Sequence, residues 1–141
     1  MLFEVIGEDV RVRLAQSFAV VERHRDDIVR KIEERLAALD PEEQDGHGRI
    51  VALLLVNLLV DGGCDLAAFG GLRDLTPAVK EHRRLQIGGR HYSRFGMALG
   101  PVLREVLGPS LSPRIVSAWC DAFWHMIGAM EPDEKLKIVR N

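Results

Sequence analysis

The chain has 141 residues, a length that suits one domain, residues 1–141, around a single buried core. Its 19 basic and 21 acidic residues give a formal charge of −2 and are spread along the chain, so no overall field attracts nucleic acid or a membrane surface. The most apolar run, residues 50–60, is shorter than the roughly 20 residues that cross a bilayer, and the N-terminus has no signal-peptide pattern. We therefore expect a cytoplasmic protein that binds neither nucleic acid nor membrane.

Two cysteines, Cys64 and Cys120, lie far apart and form neither a CxxC motif nor a zinc-binding spacing. A cytoplasmic protein keeps such residues reduced. The sequence therefore predicts two free, buried thiols.

Two helical stripes occupy residues 14–39. Their apolar side chains recur at steps of three and four residues, the period of an amphipathic helix. The members are Leu14, Phe18 and Val21 in the first stripe, and Ile28, Ile32, Leu36 and Leu39 in the second. Asp40-Pro41 is predicted to end the second helix, because a residue before proline avoids the α conformation.

The third helix is predicted over residues 49–60, which are apolar almost all round, as in a helix covered by its neighbours. Asp61-Gly62-Gly63 is predicted to end it. A short fourth helix follows, in which Leu75, Val79 and His82 are spaced by four and three residues, so His82 lies on the apolar side. Gly88-Gly89 breaks the chain after it.

Two further helices complete the pattern. Ser112-Pro113 is predicted to start the last one, as an N-cap followed by proline at the first helical position, and Pro101 is expected to kink the one before. Their stripes are Phe95, Leu99, Val102, Leu103, Val106 and Leu107, and then Ile115, Trp119, Ala122, Phe123, Met126, Ile127 and Met130. No segment alternates with period two, so the predicted fold class is all-α, with six to seven helices around one core.

The stretch from residue 79 to residue 108 reads VKEHRRLQIGGRHYSRFGMALGPVLREVLG. In it, His82 is followed nine residues later by the pair His91-Tyr92, and the helix ends in an EVLG run. This pattern resembles the end of the F helix, the FG corner and the G helix of bacterial haemoglobins and flavohaemoglobins, and residues 112–130 resemble their H helix. The resemblance covers about the last 60 residues and is faint before them. It implies a globin fold, in which helices cross in a three-over-three sandwich with haem b between them.

The resemblance makes His82 the expected protein ligand of the haem iron, with its second ring nitrogen donating to a neighbouring acceptor. The alternative is a core histidine bonded to a backbone carbonyl. Tyr92 and Glu134 match positions that contact the proximal histidine in flavohaemoglobins, where they favour oxygen activation. The alternatives are a solvated Tyr92 hydroxyl and a Glu134 that Pro132 turns towards solvent.

The distal side departs from the family. His47 falls where a phenylalanine of the CD corner is usual, Glu33 where a distal tyrosine is usual, and Ile50 where a histidine or glutamine is usual. Leu54 follows Ile50 by one turn. Such a pocket is apolar and lacks a hydrogen-bond donor, which weakens oxygen binding by about 1–3 kcal/mol. His47 could supply a donor or a sixth iron ligand; the alternative is a solvated loop histidine.

Other side chains are expected around the haem. The expected apolar contacts are Val79, Ile87, Phe95, Phe123 and Met126, of which the last two also suit an ordinary core. Arg83, Arg84 and Arg90 could pair with the propionates, the alternative being solvated arginines. Trp124 lies off the last stripe and suits an exposed contact between subunits, so a homodimer is an expected partner.

Three functions remain open. The first is reversible binding of oxygen, nitric oxide or carbon monoxide, for storage, transport or sensing. The second is a globin-fold interaction module that has lost haem and works through a helical dimer face. The third is nitric oxide dioxygenation, which would need a separate reductase, just as sensing would need a separate signalling partner.

Overall fold

The computed structural model describes residues 6–39 and 47–130. Within them lie six α-helices and one short 3-10 turn, and no strand. The helices are α1 (Glu8–Arg23), α2 (Arg25–Leu39), α3 (His47–Phe69), α4 (Thr76–Arg84), α5 (Gly89–Leu107) and α6 (Pro113–Met130), with the 3-10 turn at Gly108–Ser110 between the last two. The predicted all-α class is confirmed for this part of the chain.

The core is built around α3. This helix packs against α1, α2 and α6, while α2 also packs on α5, and α6 on both α1 and α5. Most of the predicted stripe residues point into this core, since Leu14, Ile28, Ile32 and Trp119 are fully buried. Leu39 does not, because this last residue of α2 is 48% exposed. The short helix α4 is the exception, because it has no extensive packing against any other helix.

The predicted end of α3 at Asp61-Gly62-Gly63 is wrong, because the helix continues to Phe69. The two glycines serve a different purpose, which is close contact with α6. A Cβ atom on Gly62 would lie 2.6 Å from Met126 Sδ, and one on Gly63 would lie 2.5 Å from Trp119 Cζ3. The missing side chains let the two helices approach, and tertiary packing outweighs the weak helix propensity of glycine.

Helix α3 is therefore longer than the apolar run in the sequence. Its 23 residues, with a mean hydropathy of 1.9 over the most apolar stretch, could cross a membrane by length and composition alone. The short run at residues 50–60 therefore does not by itself exclude a membrane-spanning helix. Of that stretch, 56% is buried inside the fold, as in the core helix of a globular domain.

Other sequence expectations have mixed outcomes. Gly88 precedes α5, and the Ser112 hydroxyl caps α6 by accepting from the Ile115 amide at 3.3 Å, as predicted. Helix α5 continues through Pro101 as one helix, and the kink expected there stays a prediction. The expectation of two buried thiols is wrong for Cys64, which is exposed; Cys120 is half-buried, and both are free.

Candidate ligand pocket

His82 and Tyr92 form a buried pair at the junction of α4 and α5. His82 Nδ1 lies 3.0 Å from the Tyr92 hydroxyl oxygen, and each residue is only 3% exposed. Tyr92 thus occupies the position beside His82 that the sequence resemblance implies. The alternatives considered for these two residues, a carbonyl-bonded histidine and a solvated tyrosine, do not describe this geometry.

A tight turn brings the two helices together. Gln86 adopts a positive φ of 60°, which is uncommon for a residue with a side chain. The next amide, that of Ile87, donates to the carbonyl oxygen of His82 at 2.8 Å. On the far side of the turn, the Gly88 amide donates to His91 Nδ1 at 3.1 Å. These bonds start α5 directly beside the last turn of α4.

The surroundings of His82 favour a neutral ring. Desolvation by burial lowers the pKa of His82, and the adjacent Glu81 carboxylate opposes the shift only in part. Nδ1 is engaged by the Tyr92 hydroxyl, and no described residue hydrogen-bonds to Nε2. A neutral imidazole with one nitrogen fixed and the other unengaged is the usual form of a histidine metal ligand.

His82 lines a pocket of about 280 Å³ between α3 and α4. Its apolar lining includes Leu54 and Leu58 from α3, and Leu75 and Ala78 from the opposite side. Asn57 adds an amide to the α3 wall. The pocket is thus lined by the His82 imidazole, the Asn57 amide and aliphatic side chains.

The mouth of the pocket is acidic. Its carboxylates are Asp61, Asp65, Asp74 and Glu81. Three of them are held in ion pairs: Asp61 with Arg25 at 3.2 Å, Asp65 with Arg73 at 2.8 Å, and Glu81 with Arg84 at 2.7 Å. Such pairs near the surface contribute little to stability, and they leave the mouth with no net positive charge to attract an anion.

Some of the predicted haem contacts lie at this pocket and others do not. Leu54 and His82 line it. Ile50 is 42% exposed, one turn before Leu54 on the same helical face. Val79 is half-buried on α4 and packs on the core, and Ile87 is buried in the turn after it.

The predicted aromatic and methionine contacts lie deeper. Phe95 and Phe123 are fully buried, with ring centroids 4.7 Å apart. Met126 is also fully buried and sits against Gly62, on the α6 side of α3. These side chains build the core behind the pocket and are not part of its lining.

The predicted polar contacts are divided. Arg83 and Arg84 are exposed on the last turn of α4, where Arg84 pairs with Glu81. The ring of His47 lies edge-on to that of His91, with centroids 5.3 Å apart, at the shared end of α3 and α5. Glu134 lies outside the described residues.

The sequence reasoning missed Asn57, Leu58 and Asp61 as pocket residues. They follow Leu54 at steps of three and four along α3, so the helical register contained the signal. Asp61 falls outside the helix predicted over residues 49–60, whereas Asn57 and Leu58 lie inside it, in a run that is apolar almost all round and so gives no local sign of a pocket.

The residues present fit haem in part. Among the described residues no three His, Cys, Asp or Glu side chains are grouped to hold a bare metal ion, whereas haem iron needs only one protein ligand, such as His82. Sites for small organic ligands have volumes of roughly 300 to 1,000 Å³, so this pocket, at about 280 Å³, is just below that range. A porphyrin would need α4, the least packed helix, to move outward, and its propionates to lie away from the acidic mouth.

No protein-family model matches the chain, and no curated protein is significantly similar to it.

Proposed function

We propose that the chain is a globin-like haem protein that reversibly binds a diatomic gas, with His82 as the protein ligand of the iron. The single observation that carries this proposal is the state of His82. It is a buried, neutral imidazole, its Nδ1 is held by Tyr92, and it lines an apolar pocket with Nε2 unengaged. The proposed cofactor is haem b, and the proposed ligands are oxygen, nitric oxide and carbon monoxide.

The packing of the helices supports the same proposal. The pocket separates α4 from α3, while the other helices pack closely on one another. In a globin the haem lies between the two corresponding helices, E and F. A cofactor held there would replace the contacts that α4 lacks.

The residues of the chain would have distinct roles. When bound, haem would supply an iron that can take a diatomic ligand. His82 would hold that iron, while Tyr92 fixes the orientation of the imidazole ring through Nδ1. Leu54 and Leu58 keep water away from the ligand side, since they present only hydrocarbon.

The test is the absorption spectrum of the protein purified with excess haem. We expect a strong haem band for the natural sequence and its loss in His82→Ala, with the helical circular dichroism retained. His24→Ala is the matched control, because His24, directly after α1, bonds to Val20 O of that helix and does not line the pocket. An unchanged band in His82→Ala would refute the assignment and direct attention to His91.

A second candidate is the haem-free interaction module. The observation in its favour is the exposure of Met97 (70%) and Trp124 (47%) on α5 and α6, where Trp124 packs over Gly96. A homodimer through this face, in the cytoplasm, is compatible with either candidate. Absence of a haem band together with a dimer in sedimentation would favour the module.

Nitric oxide dioxygenation is the third candidate. It rests on Glu134, which lies outside the described residues, and on a separate reductase as partner. Sensing would rest on a separate signalling partner in the same way.

A further inference from the structure

The carboxylates around the mouth of the pocket outnumber the arginines that bond to them. Arg25 donates from Nη2 to Asp61 at 3.2 Å and to Glu22 at 2.6 Å, so one guanidinium serves two carboxylates. Its Nη1 donates to Asn57 Oδ1 at 3.0 Å. The positive charge of Arg25 is thus more than matched by carboxylates, so it does not draw an anion to the pocket.

Asp74 is the carboxylate of the mouth that has no ion pair with a described residue. Its Oδ1 accepts from the Thr76 amide at 2.9 Å, which holds the side chain at the start of α4. Hydrogen bonds from Thr76, and more weakly the charge of Lys80, lower the pKa of the Asp74 carboxyl, so the group is ionised at neutral pH. The mouth therefore keeps an exposed negative charge that a bound cation can neutralise.

His82 places a hydrogen-bond acceptor inside the same pocket. The residue is 3% exposed, and its Nδ1 lies 3.0 Å from the Tyr92 hydroxyl oxygen. When Nδ1 carries the proton and donates to that oxygen, Nε2 has a lone pair, and no described residue donates to it. A buried acceptor without a partner costs free energy, so a ligand that donates to Nε2 is favoured.

These features together select the charge of a ligand. A bare metal ion lacks a group of three ligating side chains among the described residues. A porphyrin carries propionates, which the carboxylates of the mouth repel. An ammonium ion has three N–H donors and no acceptor, and it therefore complements both the imidazole nitrogen and the carboxylates.

We propose that the pocket, in the haem-free protein, binds a small primary amine in its ammonium form, with an aliphatic body. The ammonium group donates to His82 Nε2 and is attracted by the carboxylates of the mouth, while the hydrocarbon lies against Leu54 and Leu58. The volume of about 280 Å³ limits the ligand to a small molecule. The inference goes beyond the proposed function and does not rest on it. The amine and a haem iron would both use Nε2, so each would exclude the other.

The first experiment titrates the haem-free protein with three probes of one chain length, n-hexylammonium, 1-hexanol and hexanoate, in a calorimeter. Hexylammonium should bind about tenfold more tightly than hexanol, because its hydrogen bond to the imidazole is charge-assisted. Hexanoate should bind most weakly, since the mouth repels it. Binding of hexanoate as tight as that of hexylammonium, or no binding of hexylammonium, would overturn the proposal.

The second experiment removes the charge of Asp74. Asp74→Asn keeps the acceptor for the Thr76 amide, so the start of α4 should be retained. The dissociation constant for hexylammonium should rise about threefold, as for an exposed ion pair, while that for hexanol stays the same. Asp121→Asn is the matched control, because this exposed residue of α6 lines a different cavity. An equal effect of the two substitutions would refute the role of the acidic mouth.

The third experiment tests the imidazole. His82→Ala should weaken the binding of hexylammonium and hexanol alike, since both donate to Nε2, and circular dichroism checks that the helices are retained. If the variant does not fold, the ¹⁵N resonance of His82 Nε2 in the natural sequence serves instead, and hexylammonium should shift it. An unchanged affinity or an unmoved resonance would overturn the proposal. The haem band tests the proposed function alone, so the two can fail independently.

Discussion

At the scale of single residues, His82 links the proposed site to the stability of the fold. Burial lowers its pKa below the ordinary value of about 6.5. In the unfolded chain the same imidazole takes up a proton as the pH falls through 6.5, while in the folded chain it stays neutral until lower pH. Between these two pKa values the unfolded state binds more protons than the folded state. The free energy of unfolding therefore decreases as the pH is lowered through this range.

We predict that the haem-free protein loses stability on acidification below about pH 6.5, with a contribution from His82 of at most about 1.4 kcal/mol per pH unit. Urea unfolding at a series of pH values measures it. His82→Gln removes the titrating group and leaves a polar atom near the Tyr92 hydroxyl, so its curve should be flatter in this window. Parallel curves for the two proteins would show that burial of His82 does not perturb its titration.

At the scale of elements, the contact between α3 and α6 depends on two glycines with different neighbours. Gly63 faces the rigid ring of Trp119, which is fully buried, while Gly62 faces the flexible end of Met126. Gly48, in the first turn of α3, has nothing within 4 Å of an added Cβ. Alanine at Gly48 therefore reports helix propensity alone, whereas alanine at Gly62 or Gly63 also reports the packing against α6.

We predict that Gly63→Ala lowers the free energy of unfolding, because overpacking costs about 1–3 kcal/mol and exceeds the roughly 1 kcal/mol that alanine gains in a helix. Gly62→Ala should cost less, since the methionine can shift. Gly48→Ala should be neutral or stabilising. Chemical denaturation of the three variants checks the order, and a stabilised Gly63→Ala would mean that the two helices do not approach this closely.

At the scale of the whole molecule, the sequence predicted the class and most helices because apolar periodicity is a local signal. It predicted the pairing of His82 with Tyr92 only through the resemblance to bacterial haemoglobins. It could not predict the contacts that join distant parts of the chain. Gly62 and Gly63 look like helix breakers until Met126 and Trp119 are placed against them.

The pocket shows the same limit. The bond from Arg25 to Asn57 joins residues 32 positions apart, and nothing in the local pattern of either residue indicates it. The sequence therefore did not predict that Asn57 adds a polar group to the α3 side of the pocket. Local periodicity placed Leu54 correctly, and it places Asn57, three residues later within the predicted helix, on the same face.

The first and last helices of the described chain are joined by one buried hydrogen bond. The Trp119 indole N–H donates to Ser17 Oγ at 2.9 Å across 102 positions of sequence, and the Ser17 hydroxyl donates to Arg13 O at 2.8 Å. Both Ser17 and Trp119 are buried, so water cannot replace the bond.

We predict that Ser17→Ala lowers the free energy of unfolding by about 1–3 kcal/mol, the cost of a buried donor without an acceptor. Ser117→Ala, an exposed serine on α6, is the matched control and should change stability little. In a double-mutant cycle with Trp119→Phe, the effect of Ser17→Ala should largely disappear, because the indole donor is then absent. An undiminished effect would show that Ser17 stabilises the fold through α1 alone.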